Sequence, residues 1–217
     1  MIAVLDYGIG NLRSAEKALQ HVGADAHLVT DPDLAAQARG VVLPGVGAFG
    51  ACSAALRRSG LDAVARDVID RGVPFLGICV GLQLLFEGSD EDPRAEGLAI
   101  LPGRVRSLAP SERLPQMQWN MVAPVESRPS RLLGTVATTS DGGPEGAGSM
   151  WFYFVHSYAP VPEADAACTV VGACDYGGPV VAAIERGELF GTQFHPEKSG
   201  MNGLRLLARF AAACGEA

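Results

Sequence analysis

A cysteine flanked by glycines is the residue of this sequence best placed to do covalent chemistry. In Pro74-Phe75-Leu76-Gly77-Ile78-Cys79-Val80-Gly81-Leu82-Gln83-Leu84-Leu85-Phe86 an apolar strand pattern meets a helical pattern at Cys79, giving G-x-C-x-G. In the analogous serine elbow the nucleophile sits on a sharp strand-to-helix turn, and small neighbours allow both a strained backbone and close approach of substrate. The unpaired N–H groups of the following helix would favour thiolate over thiol. A plainer reading has Gly77 and Gly81 permitting close helix–strand packing, with Cys79 as a small core residue. A base is supplied near the C-terminus, where Gly191-Thr192-Gln193-Phe194-His195-Pro196-Glu197-Lys198 places a histidine and a carboxylate two residues apart after an apolar strand. Pro196 biases His195 away from helical geometry, and extended backbone is expected to put His195 and Glu197 on one side. A lone His-x-Glu is ordinarily a surface or capping pair, but the upstream elbow gives it a partner. In a Cys-His-Glu triad, His195 takes the Cys79 proton and returns it to the leaving group, while Glu197 orients the imidazole.

A third segment, Leu43-Pro44-Gly45-Val46-Gly47-Ala48-Phe49-Gly50, offers backbone N–H groups where side chains would obstruct approach. It suits an oxyanion or a phosphate, and it lacks both the Lys-Ser/Thr ending of a P-loop and the full dinucleotide fingerprint.

The elements that must position these groups follow from periodicity. The first half alternates strands (Ile2–Leu5, Ala26–Val29, Val41–Leu43, Val73–Ile78) with helices (Leu12–His21, which Asn11 is placed to cap, and Ala51 to Asp70, interrupted at Gly60). Continuous apolar strands separated by helices predict a parallel sheet covered on both faces. In the second half the strand candidates lie closer together: Arg104–Leu108, Leu133–Thr138, Met150–Val155, Cys168–Ala173, Val180–Glu185 and Leu189–Phe194, before a closing helix at Gly203–Ala213. Some antiparallel pairing is expected there, so the fold class is α/β, one domain over residues 1–217, with a central mixed, largely parallel sheet flanked by helices. The Gly-rich stretch from Asp141 to Gly148 reads as a surface loop without a catalytic role.

Composition narrows the functions. A formal net charge of −7 with 17 Lys and Arg and no basic cluster excludes an electrostatic footprint for nucleic acid. No apolar run approaches 20 residues and no basic n-region opens the chain, so neither a membrane span nor a secretory signal is expected, and the cytoplasm is the expected compartment. Five cysteines (Cys52, Cys79, Cys168, Cys174, Cys214) without CxxC pairs argue against a disulfide framework or structural zinc.

The elbow, the His-Pro-Glu segment and the Pro-Gly-Val-Gly loop, in this order, resemble the class I glutamine amidotransferases. Within that family the smaller motifs are similar to those of the glutaminase subunits serving imidazole glycerol phosphate synthase. These motifs are Asp6-Tyr7-Gly8-Ile9-Gly10-Asn11-Leu12, Gln116-Met117-Gln118-Trp119-Asn120 and Phe152-Tyr153-Phe154-Val155-His156-Ser157-Tyr158. The resemblance implies a flavodoxin-like domain in which Cys79, His195 and Glu197 hydrolyse glutamine through a cysteinyl thioester. It implies that Gln83, Gly47, Ser157 and Tyr158 hold the substrate, and that backbone N–H groups of Val80, Gly45, Val46 and Gly47 serve the oxyanion. For Ser157 and Tyr158 an ordinary strand end is the plainer alternative, and His156 is expected to be structural. No metal or organic cofactor is implied. The implied partner is a cyclase subunit of the (β/α)₈-barrel type, in a heterodimer, which receives the ammonia and makes imidazole glycerol phosphate and AICAR. Asn11, Trp119, Tyr153 and Lys198 would face it. One departure stands out: the family usually carries His-Met-Gly-Trp-Asn where this chain has Gln116-Met117-Gln118-Trp119-Asn120.

Overall fold

Short apolar runs and amphipathic helices alternate from the first residues onward. β1 (Ile2–Leu5) leads through α1 (Leu12–His21) to β2 (Ala26–Val29), α2 (Pro32–Ala36), β3 (Gly40–Gly45), α3 (Phe49–Arg58), α4 (Leu61–Asp70), β4 (Phe75–Cys79) and α5 (Val80–Gln83). β5 (Gly88–Ser89), β6 (Gly103–Ser107), β7 (Gln116–Met121), β8 (Ala123–Pro124), β9 (Trp151–His156), β10 (Tyr158–Pro162), α6 (Ala164–Ala167), β11 (Val170–Asp175), β12 (Pro179–Arg186) and β13 (Leu189–Thr192) follow, and α7 (Gly200–Ala213) closes the chain. The structure, a computed structural model, describes residues 1–109, 111–125, 127–134, 150–167 and 169–215.

The main sheet has the order β2-β1-β3-β4-β13-β12-β11-β8. Its first five strands are parallel, and β12, β11 and β8 continue it antiparallel. Every residue of β1, β3, β4 and β13 is buried, as parallel strands covered on both faces require. α1 packs against α7, and α4 against α2 and α3. Beside this sheet stand a three-stranded sheet, β10-β6-β5, and a two-stranded antiparallel ribbon, β7-β9.

Several expectations are corrected. Asn11 stands at the N-terminus of α1, but its side chain accepts from the Ser14 hydroxyl at 2.8 Å rather than capping a backbone N–H. The helix after Cys79 is a single turn, so its dipole is small. The interruption at Gly60 separates two helices, with Gly60 at φ +74° where a Cβ would be strained. Leu133 lies in a turn rather than a strand; the rest of that expected strand, Cys168 and the Gly-rich stretch lie outside the described residues. β7 and β10 did not register as strands in the sequence. Among the described residues no helix is long and apolar enough to cross a membrane, and no cluster of three His, Cys, Asp or Glu side chains could hold a metal ion.

Candidate active site

The C-terminal ends of β3, β4 and β13 lie side by side, and the chemistry-bearing residues follow from them. Gly45 is the register partner of Cys79, and Thr192 that of Ile78. Cys79 has φ 54° and ψ −109°, a conformation that a side chain other than glycine rarely adopts. The neighbouring glycines make the turn possible. A Cβ on Gly77 would come within 2.8 Å of Gly81 backbone atoms, and one on Gly81 would overlap the Leu43 carbonyl. The glycines thus permit the close helix–strand packing of the plainer reading, and the same packing goes with the strained elbow, whose thiol is buried at 3% exposure rather than exposed.

His195 is 2% exposed, and its Nδ1 lies 2.8 Å from Glu197 Oε1 in a carboxylate that is itself buried. The expected extended arrangement is corrected: Pro196–Lys198 form one 3-10 turn, which folds Glu197 back onto the ring. The His195 backbone is held in place as well. The His195 N–H donates to the Tyr153 carbonyl at 2.9 Å, the Ser199 hydroxyl donates to the His195 carbonyl at 2.6 Å, and the Tyr153 N–H donates to Ser199 Oγ at 3.0 Å. Phe194 stacks on Phe152 with centroids 4.0 Å apart. His195 Nε2 is buried without a hydrogen-bond partner. Burial alone would lower the His195 pKa, but the Cys79 sulfur and the Glu197 carboxylate reverse this and raise it to about 10. The structure thus favours an imidazolium at His195, with the Glu197 carboxylate behind it.

These groups open into a cleft of about 260 Å³ lined by Val46, Gly47, Cys79, Val80, Gln83, Glu91, Pro115, Val155, His156, Ser157, Tyr158 and His195. Gln83, Gly47, Ser157 and Tyr158 are therefore gathered around the thiol, as are Val80 and Val46. Gly45 is not in the lining. It is buried in β3, and its bare Cα admits Val80 and Gly81, with Val80 Cβ at 2.9 Å from where a Cβ would stand. Gly47 has φ +90° and open space around it. The carbonyls beside it are tied: the Tyr7 hydroxyl donates to the Pro44 carbonyl at 2.7 Å, and the Cys52 thiol to the Val46 carbonyl at 3.3 Å. Burial holds the Tyr7 hydroxyl pKa well above its ordinary value, so it remains a donor.

Two contributors with no role in the sequence reading are Gln193 and Glu91. Gln193 donates to Cys79 Sγ at 3.6 Å and accepts from Gln83 Nε2 at 3.2 Å. Gln83 Nε2 also reaches the Tyr158 carbonyl at 2.8 Å. Glu91 lies on the cleft rim and accepts from the Phe49 N–H at 2.7 Å. A carboxylate at the mouth of a cleft with a thiol at its base was signalled by nothing local. Of the residues implied to face a partner, Trp119 and Tyr153 pack edge to face at 6.3 Å, and Lys198 Nζ lies 5.9 Å from the Tyr153 ring centroid. Asn11 is at the start of α1, a helix that touches the Pro196–Lys198 turn.

A thiol on a strained elbow, a buried His-Glu pair and a cleft of about 260 Å³ at the ends of parallel strands are consistent with a cysteine hydrolase. The class I glutamine amidotransferase family model matches residues 3–214, and the chain belongs to that family. It is 45% identical over 209 residues, 96% of this chain and 93% of the relative, to imidazole glycerol phosphate synthase subunit HisH of Moorella thermoacetica. To the subunit of the same name in Methanothermobacter thermautotrophicus it is 46% identical, covering 97% of each chain. A crystal structure of a glutamine amidotransferase superposes with a TM-score of 0.71 at 20% identity, over 99% of this chain and 98% of that one, which shows the shared fold.

Proposed function

We propose that this chain is the glutaminase subunit of an imidazole glycerol phosphate synthase. The observation that carries the reading is the buried His195–Glu197 pair, whose imidazole lines the same cleft as Cys79, with the Glu91 carboxylate in that lining. Glutamine fits this polarity. Its α-ammonium group faces Glu91, its α-carboxylate meets the Ser157–Tyr158 segment, and its side-chain amide reaches Cys79. The Cys79 sulfur attacks the amide carbon, and the oxygen takes up negative charge opposite the backbone N–H groups of Val80 and the Val46–Gly47 loop. The C–N bond then breaks as His195 gives its Nε2 proton to the departing nitrogen, leaving ammonia and a γ-glutamyl thioester. Water attacks the thioester, His195 accepts its proton, and the C–S bond breaks to release glutamate.

The ammonia is used by a second protein, a cyclase of the (β/α)₈-barrel type that makes imidazole glycerol phosphate and AICAR for histidine synthesis. The ribbon supports such docking. Met117, Trp119 and Met121 project from one face of β7, opposite Val155, Tyr153 and Trp151 of β9. Met117, Trp119, Met121, Trp151 and Met201 are all about half exposed or more, and clustered exposed apolar side chains suit a docking face. The test is Cys79→Ala in the assembled enzyme. Glutamine-dependent synthesis is expected to vanish while ammonium-dependent synthesis persists; loss of both, or retention of both, contradicts the reading.

A further inference from the structure

Gln116 and His156 are directly opposed in the β7–β9 ladder, so their side chains share the inward face of the ribbon. Both are buried, Gln116 fully and His156 to within 6%, and each carries a polar atom without a partner: Gln116 Oε1 and His156 Nε2. The tautomer of His156 is fixed by chemistry. Its Nδ1 lies 2.9 Å from the Tyr158 carbonyl, which can only accept, so Nδ1 carries the proton and Nε2 is a bare acceptor. Burial, opposed by that hydrogen bond and reinforced by His195, lowers the His156 pKa to about 4 and keeps the ring neutral. On its other side, Gln116 Nε2 is 4.0 Å from Cys174 Sγ. Burial pushes the Cys174 thiol up to about 11, so its sulfur holds a proton and is better used as a donor than as an acceptor. Two mismatches therefore meet at one amide, whose oxygen and nitrogen are interchangeable by rotation.

We infer that Gln116 is a positioning residue for glutamine binding. With its amide turned over, Nε2 donates to His156 Nε2 and Oε1 accepts from the Cys174 thiol. The resulting chain runs from Cys174 through Gln116 and His156 to the Tyr158 carbonyl, which also receives Gln83 Nε2. Its end is the Ser157–Tyr158 wall of the cleft, and its middle member sits on the strand whose other face carries Met117, Trp119 and Met121. Gln116 touches no substrate. It sets the imidazole that fixes the wall.

The direct test is a nitrogen–nitrogen coupling experiment on uniformly ¹⁵N-labelled full-length chain. A cross-hydrogen-bond coupling between the Gln116 side-chain amide and His156 Nε2, with the His156 proton on Nδ1, is the expected result. Absence of that coupling, or a proton on Nε2 in place of Nδ1, overturns the inference. A kinetic arm, which rests on the glutaminase reading, uses the complex with its synthase subunit. Gln116→Leu is expected to raise KM for glutamine about tenfold while kcat stays within about twofold, as loss of binding that is uniform along the reaction requires. An unchanged KM overturns the role. Gln116→Glu replaces the donor by an acceptor and is expected to draw a second proton onto His156, visible as protonation of both ring nitrogens near neutral pH; a ring that stays neutral counts against the contact. Absence of any glutamine turnover in the parent complex would refute the glutaminase reading and leave the coupling result standing.

Discussion

The two walls of the cleft are built on opposite principles. On the Cys79 side the backbone is over-determined: the elbow is pressed between Gly77, Gly81 and Leu43 with no room for a methyl group, and His195 is clamped by Tyr153, Ser199 and the Glu197 carboxylate. On the facing side Gly47 has φ +90° and open space around its Cα, with restraint confined to the Pro44 and Val46 carbonyls. On the proposed reading the nucleophile is thus preset, whereas the backbone proposed to hold the oxyanion is the less restrained part. A subunit that must not release ammonia before its partner is ready has good reason to place its freedom there.

Substitution at the glycines should break this comparison most severely. Gly81→Ala is expected to prevent the elbow from closing, with loss of folded protein or a drop of at least ~4 kcal/mol in unfolding free energy, because the new carbon meets a backbone carbonyl that cannot move cheaply. Gly47→Ala meets nothing and should cost only about 1 kcal/mol for its positive φ, while still slowing catalysis. Denaturant titration of both proteins checks the contrast; equal losses would erase it. Within the rigid wall, His195→Ala should lower kcat by about 10³-fold or more and Glu197→Gln by less, since the amide still orients the ring. Steady-state glutamate release in the complex measures this, and equal effects would contradict the assigned division of labour.

On the proposed reading, the freedom at Gly47 predicts regulation. The isolated chain should hydrolyse glutamine slowly, and the partner bearing its own ligand should raise the rate about 100-fold, equivalent to about 2.7 kcal/mol of preferential binding to the donating arrangement. Glutamate release with no partner, bare partner and liganded partner provides the comparison, and a fast isolated chain would remove the need for a switch. The smallest effect is on stability. The raised pKa of His195 means that its contribution is fully present below its unfolded value near 6.5 and is lost as pH rises through about 10. Wild type should therefore lose stability between pH 7 and 10 more steeply than Cys79→Ala, whose imidazole lacks the sulfur; parallel profiles would deny the sulfur a part in raising the His195 pKa.

How much of this was readable beforehand depended on locality. β1, α1 and β2 have the bounds that periodicity predicts, because each buries a face set by its own residues. The elbow was legible for the same reason, since strand, glycines and thiol are contiguous. β7 was not: Gln-Met-Gln-Trp-Asn-Met lacks β-branched alternation and is a strand only because β9, thirty-odd positions away, pairs with it. The approach of Glu197 to His195 was anticipated on a mistaken geometry, the contact being made by a turn that Pro196 initiates. Gln193, two positions before His195, was within reach of the alternation rule, whereas Glu91, Tyr7 and Cys52 reach the site through tertiary packing.

The central claim is that Cys79 carries the glutamyl group. Mixing the assembled, liganded enzyme with radiolabelled glutamine, quenching in acid within a turnover and mapping the peptides tests it most directly. The label is predicted on the peptide containing Cys79, lost on treatment with hydroxylamine and absent from Cys79→Ala. Turnover of glutamine with no label on Cys79, or with label on another cysteine, would contradict the account.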